Sequence, residues 1–154
     1  MKTISAIAVA AFLVLILTAH THALQEDPSP VQAPDMSSQL KNAIEHYLGK
    51  PYIWGASGIK SFDCSGFVWR VMYDNGIFFK RTTARKLYMS LVKTAPDEAW
   101  NFGNIVFFDN LKHCGIISSR KDFYHAAAGK GTNLSNFEPF WRRKIVGVRQ
   151  LKLK

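Results

Sequence analysis

Hydrophobic periodicity changes at Pro96, and with it the kind of secondary structure the chain can form. Before that residue, apolar side chains recur at the three- and four-residue spacing of a buried helical face. They are Leu40, Ala43, Ile44, Tyr47 and Leu48, then Phe67, Val68, Val71 and Met72, then Ala84, Leu87, Tyr88 and Leu91. This spacing predicts a helix from a cap at Ser37 or Ser38 to Gly49, a second from Asp63 to Asn75-Gly76, and a third from Thr82 or Thr83 to Leu91. After Pro96, residues 104–108, 114–118, 123–127 and 145–151 are short runs rich in β-branched and aromatic side chains, which predict strands. Helices first and antiparallel strands later is an α+β order, with N-terminal helices packed on a C-terminal sheet.

Two parts of that layout carry chemistry. Asp63 as cap puts Cys64 in the first turn of the second helix, where unpaired amides and the positive end of the helix dipole favour a thiolate over a thiol. Gly66, without a Cβ, lets that helix lie close against its neighbour. On the sheet, the strands at 114–118 and 123–127 are joined through Ser119, Arg120 and Lys121. A turn near 119 and 120 would pair position 113 with 125 or 126 and set His113 beside His125. A thiol with two imidazoles is a sufficient set for nucleophilic catalysis: one ring takes the thiol proton, and the other orients it. His46 is read as a surface residue. Cys114 follows His113, and adjacent strand residues point to opposite faces, so Cys114 is expected to face away from Cys64 and both thiols to be free. No close ligand pair such as C-x-x-C exists, so no metal and no cofactor is expected.

The N-terminus reads as an export signal: Lys2, an uncharged run from Thr3 to Thr18, and small residues Thr21 and Ala23 before a cut near Ala23. The run is short for a membrane span, and no Cys follows it to take a lipid. Residues 24–36, with Pro28, Pro30 and Pro34, read as a linker, and 37–154 as one domain. The net charge is +9, of which Lys2 is the only contribution from the leader, so the exported part keeps +8. Such a surface suits anionic envelope polymers. The basic residues are dispersed and no nucleic-acid motif is present, so nucleic acid is not an expected partner, and the chain is expected to act as a monomer.

The motifs resemble those of one family in order. Residues 47–55 (YLGKPYIWG), 63–67 (DCSGF), 103–108 (GNIVFF), 113–116 (HCGI) and His125-Ala126 look like the successive signatures of the NlpC-type cell-wall cysteine peptidases. The resemblance runs from about Leu40 to Leu151. It implies a papain-like fold and hydrolysis of peptidoglycan stem peptides, most often between D-glutamate and the diamino acid. Carried over by position, Cys64 is the nucleophile, His113 the base and His125 the residue that orients it. Tyr52 would stabilise the oxyanion together with the Cys64 amide, and Trp54 and Ser65 would stand with it at the substrate. The chain departs from the family pattern at Asn104, where Asp is usual, at Ala56, where a second Gly is usual, and at Cys114, where Val is usual. No separate wall-binding module is expected. Two other readings keep part of this picture: an amidase or acyltransferase using the same site, or a catalytically silent basic module that binds envelope polymers.

Overall fold

The computed structural model describes residues 35–153, so the expected signal segment and the stretch up to Pro34 lie outside the described residues. Helix α1 (Met36–His46) is capped by Asp35, whose carboxylate accepts from the Ser38 amide at 2.7 Å. The cap therefore precedes the expected Ser37 or Ser38, and Met36 belongs to the helix. Its stripe is as the spacing requires: Leu40, Ile44 and Tyr47 are buried, with Ala43 and Leu48 packed on them. Helix α2 (Cys64–Asp74) is capped by Asp63, and helix α3 (Ala84–Ser90) by Thr83. Leu91, expected as the last apolar position of α3, has extended backbone and opens strand β1 (Leu91–Lys93).

The remaining elements are β2 (Ile105–Phe108), β3 (His113–Ile117), β4 (Asp122–Ala127), β5 (Gly131–Asn136), the one-turn helix α4 (Pro139–Arg142) and β6 (Ile145–Leu153). They form a six-stranded sheet in the order β1-β6-β2-β3-β4-β5, with every neighbouring pair antiparallel. Strands β1 and β5 were not expected. The first has three residues, too few to show a period, and the second is a polar run (GTNLSN) with few of the residues that mark strands.

Both faces of the sheet are covered. Ile105, Phe107, Cys114, Ile116, Tyr124 and Ala126 face the helices, and α2 packs on β3 and β4. Val106, Phe108, Ile117 and Phe123 face the other way, beneath Trp100, Phe137 and Trp141. Phe62, Phe67, Phe107, Phe108 and Phe123 are fully buried, and each such side chain stabilises the fold by roughly 1.5–3 kcal/mol. At Gly66 a Cβ would stand 2.0 Å from the Ala56 carbonyl oxygen, so the close approach expected there is made by the start of α2 against the loop before it.

The β3–β4 hairpin differs in register from the expected one. Ile116 pairs with Tyr124 and Ile117 with Phe123, so the same register carried back sets His113 opposite Ala127 and leaves His125 as its diagonal neighbour on the same face. Gly115 makes room for that diagonal, since a Cβ there would lie 3.1 Å from the His125 Cβ and 2.6 Å from the Tyr124 carbonyl oxygen.

Candidate active site

The site lies where the N-terminus of α2 meets the start of β3. Asp63 organises its helical side. One carboxylate oxygen accepts from the Gly66 amide at 2.6 Å and from the Ser65 hydroxyl at 3.0 Å, and the other from the Gly55 amide at 2.9 Å. The Arg81 guanidinium reaches both oxygens, at 2.7 and 2.6 Å, and donates to the Ser65 hydroxyl at 3.0 Å. Cap, loop and a third segment are thereby fixed around the first turn that carries Cys64. Nothing in the sequence period marks Arg81, which lies in the irregular stretch before α3 and reaches back 18 residues.

Cys64 is 6% exposed, and its sulfur lies 3.9 Å from the Lys112 carbonyl oxygen. Its thiol is held down to about 5, chiefly by a hydrogen bond from the Cys114 thiol. Burial opposes ionisation, and the hydrogen bond and charge of His113 and the Cys114 amide favour it. Cys114 therefore does not face away from Cys64. The alternation along β3 is kept, with Cys114 on the helix-facing side and His113 against Phe108 and Trp141 on the other. Cys64 stands at the beginning of the strand, within reach of both. Both thiols are free, and the Cys114 thiol is pushed well above its usual range by its hydrogen bond to Cys64, by burial and by the Cys64 charge, so it remains protonated.

The two histidines are joined directly: His113 Nε2 lies 2.8 Å from His125 Nδ1. His125 is 1% exposed, and burial, then the charge of His113, push it down to about 3, so it stays a neutral imidazole. Trp141 stacks on the His113 ring at 5.2 Å and 23° and meets the His125 ring edge-on at 5.1 Å. The sequence shows Trp141 only as one of an aromatic pair before a basic run, without its link to the histidines.

Tyr52 is held beside the start of α2 by backbone bonds on two sides. Its neighbours Pro51 and Ile53 bond to Phe62, and Gly49 and Lys50 bond to Thr132 of β5. Burial, then the charges of Cys64 and Asp63, raise its hydroxyl above the usual range, so it keeps its proton as a donor. A hollow of about 570 Å³ opens beside Cys64, lined by Trp54, Ser65, Arg81, Lys86, Leu111 and Lys112 among others. Trp54 is 83% exposed at its rim. The Ser65 hydroxyl is already engaged by Asp63 and Arg81, so it contributes to the wall rather than as a free donor. Lys86 and Lys112 are exposed cations there, while the Arg81 charge is matched by Asp63. Among the described residues no group of three or more His, Cys, Asp or Glu side chains is arranged to hold a metal ion.

Residues 49–150 match the model of the NlpC/P60 family. The probable peptidoglycan endopeptidase LytE of Bacillus subtilis (strain 168) is 30% identical over 118 residues, covering 73% of this chain and 34% of that protein. The murein DD-endopeptidase MepS/murein LD-carboxypeptidase of Escherichia coli (strain K12) is 28% identical over 126 residues, covering 79% of this chain and 66% of its own. A crystal structure of a protein similar to lipoprotein, of the NLP/P60 family, from Staphylococcus aureus superposes with a TM-score of 0.68 at 26% identity, over 83% of this chain and 45% of that one. The chain thus spans about a third of the length of the Bacillus relative.

Proposed function

From the premise that this chain belongs to the NlpC/P60 family, with its papain-like α+β fold, we propose that it is an exported cysteine peptidase. It hydrolyses peptidoglycan stem peptides, at the bond between γ-D-glutamate and the diamino acid. The observation that carries this reading is a buried, acidified thiol at a helix N-terminus, whose ionisation is favoured by the first of two directly bonded histidines. Relatives named as peptidoglycan endopeptidases support the substrate class.

In this mechanism His113 takes the Cys64 proton, and the sulfur attacks the scissile carbonyl carbon. The carbonyl oxygen becomes an oxyanion that accepts from the Tyr52 hydroxyl and the Cys64 amide. The tetrahedral adduct collapses as His113 protonates the leaving amine, which leaves an acyl-Cys64 thioester. Water, deprotonated by His113, attacks the thioester; the acid is released and the Cys64 thiolate returns. Lys86 and Lys112 suit the hollow to a peptide that carries carboxylates. Export through the segment ending near Ala23 would bring the enzyme to its polymer.

Arg142 and Arg143 line a second hollow, of about 730 Å³, together with Lys121 and with the carboxylates Asp122 and Glu138, which leave it one net positive charge. We assign anionic wall polymer to this face. Acid quenching during turnover of a stem peptide tests the mechanism: the acyl group should be found on the Cys64 peptide by mass spectrometry. An acyl group on another residue, or none under burst conditions, would contradict it.

A further inference from the structure

Behind His125 runs a chain of polar groups that the catalytic steps above do not use. His125 Nε2 lies 2.9 Å from the Ser135 hydroxyl, and the Ser135 oxygen lies 2.9 Å from Asn133 Oδ1. The Asn133 amide nitrogen donates to the Gly131 carbonyl at 2.9 Å. Asn133 and Ser135 alternate along β5, so both point to the face of the sheet that holds His125, and Asn133 is the direct partner of His125 across the β4–β5 ladder.

The direction of every proton in this chain follows from its far end, since a backbone carbonyl can only accept. Asn133 must turn its NH₂ to Gly131, because the flipped amide would set two acceptors against each other. Its Oδ1 then faces Ser135 and takes the single hydroxyl proton. With that proton given away, the Ser135 oxygen can only accept from His125, so His125 carries its proton on Nε2. A neutral imidazole has one proton, which leaves His125 Nδ1 bare. Nδ1 accepts from His113, so the His113 proton facing it is on Nε2, and the remaining His113 nitrogen, Nδ1, keeps its lone pair for Cys64.

We propose that Ser135 and Asn133 are positioning residues that fix the tautomer of both histidines and so present the basic nitrogen of His113 to Cys64. The assignment rests on the reading of Cys64, His113 and His125 as the catalytic set, but its proton positions can be measured without turnover. Two-bond proton–nitrogen NMR on the imidazole-labelled full chain should show His125 neutral with its proton on Nε2. In the Cys64→Ala background, where no thiolate draws a second proton, His113 should show the same tautomer.

Ser135→Ala should leave His125 a mixture of tautomers and lower kcat about tenfold with KM unchanged, the factor that one ordinary hydrogen bond represents. Ser135→Thr, which keeps the accepting oxygen, should retain both the tautomer and kcat. His125 protonated on Nδ1 in the unsubstituted chain would overturn the proposal, and so would a Ser135→Ala protein with unchanged tautomer and kcat. The unsubstituted-chain spectrum decides the matter even where a variant fails to fold. Expected tautomers in a chain that cuts no stem peptide would support the proton arrangement and refute the catalytic reading alone.

Discussion

Removing the Cys114 thiol should make Cys64 a weaker acid. Cys114 is wholly buried, and its hydrogen bond is the largest single cause of the low Cys64 value of about 5. A hydrogen bond to a charged group is worth about 1.5–3 kcal/mol, and each pKa unit is 1.36 kcal/mol, so its loss corresponds to about one to two units. Cys114→Val, close in volume and without a donor, should therefore move Cys64 from about 5 to roughly 6–7. Cys114→Ser keeps a donor and should leave it low. The assay is the rate of iodoacetamide alkylation as a function of pH, with modification counted at Cys64 by peptide mass spectrometry. A thiolate fraction that is half-complete near 5 in the parent chain, shifted upward in Cys114→Val but not in Cys114→Ser, is the expected result. Equal midpoints in the parent and Cys114→Val chains would refute the reasoning, and so would alkylation of Cys114 as fast as that of Cys64 at pH 7.

The histidines should differ in what they tolerate. His113→Ala should lower kcat by about 10²–10⁴, as loss of a general base does, whereas His125→Asn or His125→Gln, which can still bond the His113 ring, should retain more activity than His125→Ala. Asp63→Ala removes the α2 cap and strands the Arg81 charge, whose side chain is 25% exposed, so denaturant unfolding should register a loss of about 2–4 kcal/mol; Asp63→Asn, which keeps a capping oxygen, should lose less. Binding to intact wall material should weaken steeply with salt, and more so than turnover of a small soluble stem peptide. Replacing Arg142 and Arg143 with Gln should lower that binding and its salt dependence together, and wall binding indifferent to both would assign recognition to the groove instead.

The helical half was legible because its signals are local: a cap, a stripe and a terminator all fall within a few turns of chain, as at Asp63, Phe67–Met72 and Asn75-Gly76. The place of Cys64 in the first turn follows from the same signals, whereas its acidity comes chiefly from Cys114 and His113 of β3. The histidine pair was legible for a subtler reason. The turn was misplaced, but positions 113 and 125 stay on one face for every register displaced by an even number of residues, and a diagonal neighbour is still close enough for two imidazoles to bond. Cys114 was misread because alternation fixes the face of a side chain but not what stands at the end of the strand, where Cys64 is reached from both faces. Arg81 and Trp141 act across 18 and 28 residues, on Asp63 and His113, and no local period encodes such contacts. Strand β5 was hidden for the reason it matters: of the polar residues that lower its strand propensity, Ser135 bonds His125 and Asn133 bonds Ser135.

The central claim is that Cys64 opens stem peptides at the γ-D-glutamyl bond. Purified peptidoglycan should be incubated with the chain and with Cys64→Ala, and the released material analysed by tandem mass spectrometry. The account predicts fragments with a new amino terminus at the diamino acid, matched by residual stems ending in D-glutamate, from the parent chain alone. Fragments cut at another bond, or the same fragments from Cys64→Ala, would contradict it.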